Sequence, residues 1–297
     1  MSLAAETTAP PAARRGGGLT GDRSVTLGLS ALAALPILLF LLLPLTGILL
    51  RGFETPDGFG IGNFTETFGA ERFWKLVYNS IAMSLTATLA AVGLAYFYAY
   101  ALQRAKIPFK PFLRIAVLTP LFAPSLVQAQ GLILLLGRNG VLNRFLGFDI
   151  DIYGFWGTAI ANALYAFPYA YLILSAALAV ADARLYESAE ALGAGPLRIF
   201  RDVTLPATRF GLAAAIFVVF TLVMTDFGNP MVIGGDFSVL ATEVYNQVIG
   251  QAQFGLGAVI GIVLLVPAIL AKLIEKRISR KQHASVTAQS KPLVVKP

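Results

Sequence analysis

Long uncharged stretches alternate with short polar ones along this chain. Runs without a charged side chain extend from Ser24 to Leu50, Leu76 to Gln103, Ile115 to Gly137, Ile152 to Ala181, Phe210 to Thr225 and Val244 to Ala271. A helix crossing the hydrocarbon of a bilayer takes about 20 mostly apolar residues. Five of the runs meet that length. The remaining one, beginning at Phe210, is cut short by Asp226 and continues apolar to Ile233. The expectation is six transmembrane helices, because open strands would leave backbone amides unpaired in lipid. Pro36 and Pro44 predict kinks in the first helix.

Composition agrees. Of the 297 residues, 57% are hydrophobic and 13% charged, against roughly 25% charged in a soluble domain. The fold class read here is all-α, a polytopic membrane helix bundle. Its expected organisation is a disordered tail over residues 1–23, a six-helix domain over 24–275 with a cytoplasmic loop at 182–209, and a second tail over 276–297. The first apolar run is too long for the 7–15-residue core of a cleaved signal peptide, so it is read as a retained helix. The absence of cysteine removes disulfides, thiolate metal sites and cysteine nucleophiles. The single histidine, His283, lies in a charged tail and is read as solvated.

Charge sets the orientation. Arg14, Arg15 and Arg23 precede the first span; Arg104, Lys106, Lys110 and Arg114 follow the second. Arg184, Arg198, Arg201 and Arg209 follow the fourth, and seven more lie between Lys272 and Lys296. The other face carries Arg51, Arg72, Lys75, Arg138 and Arg144. The positive-inside rule places both termini and the 182–209 loop in the cytoplasm. That distribution accounts for the net charge of +7 without a nucleic-acid partner.

The loop holds the most specific motif: Glu187-Ser-Ala-Glu-Ala-Leu-Gly193, followed by Val203-Thr-Leu-Pro206. The spacing predicts a short helix over roughly 185–192, with Ala189, Ala191 and Leu192 as small or apolar contacts. Gly193 would end it in a left-handed cap, and Leu205-Pro206 would open the next span. The pattern resembles the "EAA" signature of type I ABC importer permeases, with Ser188 where that family usually has Ala. The resemblance implies that fold, five core helices plus one at the N-terminus, in a bacterial inner membrane. It also implies a non-catalytic subunit, with Glu187, Ala189, Leu192, Gly193, Leu205 and Pro206 serving ATPase coupling. No phosphate-binding loop is present in the sequence, so ATP and Mg belong to partner ATPase subunits. The other implied partners are a periplasmic substrate-binding protein and a second permease subunit, identical or paralogous.

Polar side chains at membrane depth are the candidates for a substrate path. Asp226 lies 16 residues beyond Phe210, about 24 Å along a helix, and precedes the break-prone Gly228-Asn229-Pro230. A carboxylate at a helix C-terminus opposes the dipole, so a cation or hydrogen-bond donor should offset it. Asn229, Gln128, Gln130, Asn162 and Tyr165 lie at comparable or central depths. Each is equally readable as interhelical glue. No metal-ligand cluster or catalytic triad is apparent, so the metal and catalytic assignments are none. The run Thr225-Asp-Phe-Gly-Asn-Pro230, Val239-Leu-Ala-Thr-Glu-Val-Tyr245 and Gly250–Val259 resembles permeases of the ferric-iron and 2-aminoethylphosphonate group. It is nearer the phosphonate branch, which makes 2-aminoethylphosphonate the expected cargo, with ferric iron, polyamine-type cations or another small ion as alternatives. A secondary transporter or channel would suit Asp226 beside a broken helix but leaves the Glu187–Pro206 spacing unexplained. An intramembrane enzyme would need more than one isolated carboxylate.

Overall fold

The computed structural model describes residues 19–56, 58–147 and 151–283. Most of the two expected tails therefore lies outside the described residues. The chain divides into two compact units, Met1–Leu50 and Arg51–Pro297.

In the first unit, α1 (Leu19–Ile37) passes through a π-helical turn, Leu38–Leu42, into α2 (Leu43–Arg51). Helix begins at Leu19, five residues before the stretch expected to span. Where the sequence predicts proline kinks, the helix widens: Leu43 N–H bonds to Leu38 C=O, one residue further back than usual. That wider turn lies between Pro36 and Pro44 and absorbs a missing donor.

The second unit opens with a two-residue hairpin, β1 (Glu54–Thr55) against β2 (Gly58–Phe59), and a short α3 (Gly62–Gly69). The long α4 (Glu71–Arg104) follows, then α5 (Lys110–Leu118), α6 (Ser125–Leu136) and α7 (Val141–Leu146). Next come α8 (Phe155–Ala179), α9 (Ala183–Ala191) and α10 (Pro196–Ile199). A π-helical turn, Phe200–Thr204, leads into α11 (Leu205–Met224), and α12 (Gly228–Ile233), α13 (Leu240–Tyr245) and α14 (Phe254–His283) complete the unit. Among the described residues, five helices are long and apolar enough to cross a membrane, and six if one bent pair counts as a single span.

The core lies where α4, α8 and α11 meet. Ala87, Ala91, Ala95 and Ala99 recur every four residues on α4, all fully buried. They meet Ala166, Ala170, Leu174 and Leu178 of α8 and Ala215, Val219 and Val223 of α11. Water-driven burial does not hold helices together in lipid, so close approach through small side chains matters most.

Three spans differ from the sequence expectation. The third is not one helix over Ile115–Gly137: it breaks at Ala123-Pro124, and the two pieces meet at 108°. Pro124 forbids helical geometry at Ala123, which is extended at φ −103°, ψ 128°. The fifth begins at Pro196, ten residues before Pro206, and stops at Met224 rather than passing through Asp226. Pro206 is tolerated inside this continuous helix because the preceding π turn shifts the bonding, with Leu205 N–H on Phe200 C=O. The last long helix starts at Phe254 instead of Val244, after the separate α13 and a π turn at Asn246–Gly250.

Candidate functional sites: a doubly capped loop helix and a buried polar node

Helix α9 starts two residues before its expected position because Asp182 caps it. The Asp182 carboxylate accepts the Arg184 N–H at 3.0 Å. Its other end is a complete Schellman motif: Gly193 N–H donates to Glu190 C=O (2.9 Å) and Ala194 N–H to Ala189 C=O (3.0 Å). Gly193 has φ +74°, the left-handed conformation expected of it. Ala183 and Tyr186 face inward and are buried, and Ala189 is half-buried. Glu187 and Leu192 point outward, with Leu192 88% exposed. Leu185, at 53%, and Leu197 of α10, at 81%, enlarge this apolar surface. Leu205 and Pro206 lie further on, at the start of α11, also exposed.

The membrane-depth candidates divide. Asp226 sits in the break between α11 and α12, 9% exposed, where its carboxylate accepts the Asn229 N–H at 3.0 Å. The donor demanded by the dipole argument is thus the free N-terminus of the next helix. The Ser125 hydroxyl, at the start of α6, also faces this carboxylate. Asn229, fully buried, donates from Nδ2 to Asn162 Oδ1 at 3.0 Å, and Asn162 Nδ2 meets Met83 Sδ at 3.3 Å. Among the described residues Asn229 Oδ1 has no partner. Glycine is needed at 228, since a Cβ there would lie 2.3 Å from Ser125 Oγ and 2.8 Å from the Leu126 nitrogen.

Gln128 works at the other break. Its Nε2 donates to Pro120 C=O (2.7 Å), which also accepts the Ala123 N–H (3.2 Å), and to Ala123 C=O (3.0 Å), at the break set by Pro124. Gln130 is exposed. Tyr165 is half-buried, packs against Tyr169 with ring centroids 5.8 Å apart, and lies within electrostatic reach of Asp226. Asp226, Asn229 and Asn162 therefore form one node, with Tyr165 beside it, whereas Gln128 serves the helix break.

Sequence reasoning missed the Arg72–Glu243 pair. Arg72 Nη2 donates to Glu243 Oε2 at 2.9 Å, and Gln247 Nε2 donates to Oε1 at 2.8 Å. The Glu243 side chain is 3% exposed. A carboxylate abutting an apolar run was the available signal. Its partner lies 171 residues away and was used only in the topology count.

Residues 91–283 match the family described as binding-protein-dependent transport system inner membrane component. Over 282 residues the chain is 27% identical to the ferric transport system permease protein FbpB of Actinobacillus pleuropneumoniae, covering 92% of this chain and 41% of that protein. The chain thus spans about two fifths of that relative's length. It is 28% identical over 251 residues to the spermidine/putrescine transport system permease protein PotB of Haemophilus influenzae, covering 79% of this chain and 87% of that one. In fold it is similar to a chain of a bacterial ABC transporter involved in the import of the acidic polysaccharide alginate. That likeness has TM-score 0.69 and 19% identity, over 91% of this chain and 99% of the other.

Proposed function

The chain belongs to the family of binding-protein-dependent transport system inner membrane components, and from that premise we propose that it is the translocating subunit of an ATP-driven importer. The observation that carries this reading is α9. A nine-residue helix capped at both ends, buried through Tyr186, exposing Glu187 and followed by the exposed Leu192, is built to be covered. Exposed apolar anchors with a polar rim are what a helix offers to a groove. In this reading Glu187, Ala189, Leu192 and Gly193 dock an ATPase that holds ATP and Mg, and Leu205 and Pro206 carry the loop into the span. The subunit itself does no chemistry. A periplasmic binding protein delivers the cargo, a second permease completes the path, and both termini face the cytoplasm.

Within the subunit we assign Asn162, Asp226 and Asn229 to shaping the path wall, and the less enclosed Gln130 and Tyr165 to its surface. The cargo is a small charged solute. The motif run through Asp226 and Glu243 supports 2-aminoethylphosphonate. The likeness to a ferric permease across 92% of the chain supports ferric ion equally. Reconstitution with its ATPase and binding protein, with uptake of 2-aminoethylphosphonate and of ferric ion measured side by side, is the test. ATP-dependent accumulation of either supports the reading and chooses the cargo. Uptake driven by an ion gradient without ATP would overturn it in favour of a secondary transporter.

A further inference from the structure

Helix α9 is held to the rest of the protein in an unusual way. Arg104, the last residue of α4, places its guanidinium carbon 3.6 Å from the centre of the Tyr186 ring. Tyr186 is 5% exposed and is the only large side chain that α9 buries. Yet Arg104 Nη2 and Tyr186 Oη are both buried without a hydrogen-bond partner among the described residues. The joint holds through the face of a ring against a flat cation, a contact with no hydrogen bond to fix its register.

The second attachment of the loop lands on the same stripe. Phe200, in the π-helical turn that follows α10, meets Tyr96 edge-on at 5.8 Å and Tyr100 edge-on at 5.2 Å, and lies parallel to Phe97 at 6.5 Å. Tyr96, Tyr100 and Arg104 are spaced four apart and so line one side of the last turns of α4. Both ends of the loop thus rest on one helix. α4 is in turn tied to its neighbours: Tyr96 Oη and Thr208 Oγ1 of α11 are 2.7 Å apart, and Gln103 Nε2 donates to Ser175 C=O of α8 at 2.8 Å.

We propose that the Arg104–Tyr186 contact is the joint through which movement of α9 is delivered to the α4 span, making these two residues determinants of coupling distinct from the docking surface. The inference rests on the reading of α9 as an ATPase-docking helix and adds where the motion goes. Arg104 and Tyr186 are positioning residues: they touch neither ATP nor cargo. The flat face of each group matters, and the Tyr186 hydroxyl, unpartnered among the described residues, does not.

The test uses the intact complex with its ATPase and needs no identified cargo. Tyr78, exposed near the outer end of α4, is replaced by cysteine in a chain that has none of its own. Labelling by a polar maleimide is compared between the nucleotide-free and ATP–vanadate states. A ratio of about fivefold or more between states, the scale of an ordinary allosteric coupling, is expected in the Tyr78→Cys background and in Tyr186→Phe. Tyr186→Leu and Arg104→Met should keep the ATPase bound and hydrolysing while the ratio falls to about one. Retention of the full ratio in both variants would overturn the proposal. So would loss of the ATPase from both, which would make the contact a support for docking only. If the chain with native Arg104 and Tyr186 binds no ATPase, the docking reading itself fails, and this inference with it.

Discussion

Replacement of Gly193 separates backbone strain from side-chain crowding. Gly193 has φ +74°, and a Cβ built there would meet nothing within 4 Å. Within this subunit, a Cβ there adds no crowding, and the loss in the helix's own stability comes from the left-handed backbone. That amounts to about 1–2 kcal/mol for alanine, and more for a β-branched residue. Helix α9 has nine residues, below the ~12–15 at which helices hold themselves, so the strain falls on its last turn, where Leu192 is displayed. A penalty of about 1–2 kcal/mol shifts the folded-to-frayed ratio by about 5–30-fold. ATPase affinity for the reconstituted permease should fall in the order Gly, Asn, Ala, Val, because asparagine tolerates this conformation better than alanine does. Global thermal stability should hardly change. Binding by Gly193→Val equal to that of the unaltered chain, or worse binding by Asn than by Val, would refute the argument.

Two further predictions follow from the orientation and from the buried node. Cysteines placed near Phe59 or Gly147 should react with an impermeant reagent from the periplasmic side, and those near Ile107 or Ala194 should not; the reverse pattern would invert the topology. Asp226→Asn keeps an acceptor for the Asn229 N–H and should assemble normally, whereas Asp226→Leu removes the cap and should lose about 0.5–2 kcal/mol of stability, read as melting temperature in detergent. A leucine variant as stable as the native protein would refute the capping role, and reduced uptake by the stable Asn variant would place the charge on the path.

Helix α9 was legible because its information is local. Glu187, the small residues after it and Gly193 fix a helix and its left-handed stop within one heptad, and the observed cap follows that plan. The missed Asp182 is equally local: an Asp just ahead of a helix is a capping signal, and it shifts the start to Ala183. The break at Pro124 was harder to see. Hydrophobicity alone runs unbroken from Ile115 to Gly137, and what decides is a backbone restriction on Ala123. Partnerships between distant segments were not legible at all. Arg72 and Arg104 entered only as counts of positive charge, although one pairs with Glu243 and the other lies on the Tyr186 ring.

The two helix breaks are solved locally and then packed together. Backbone groups freed at membrane depth are tolerated only where protein or a water-lined cavity satisfies them. At the Pro120–Pro124 break the freed groups are carbonyls, and the Gln128 amide supplies the donors. At the Met224–Gly228 break they are N–H groups, and the Asp226 carboxylate is the acceptor. Ser125 and Gly228, the first residues of the two resumed helices, approach so closely that no side chain fits at 228. The breaks are thus packed against one another, and Asn229 carries the connection on to Asn162 of α8. Each break satisfies its freed groups from its own segment, and the Ser125 hydroxyl facing the Asp226 carboxylate links the two. The irregular backbone and the buried carboxylate thus meet in one packed feature, tied to α8 through Asn229 and Asn162.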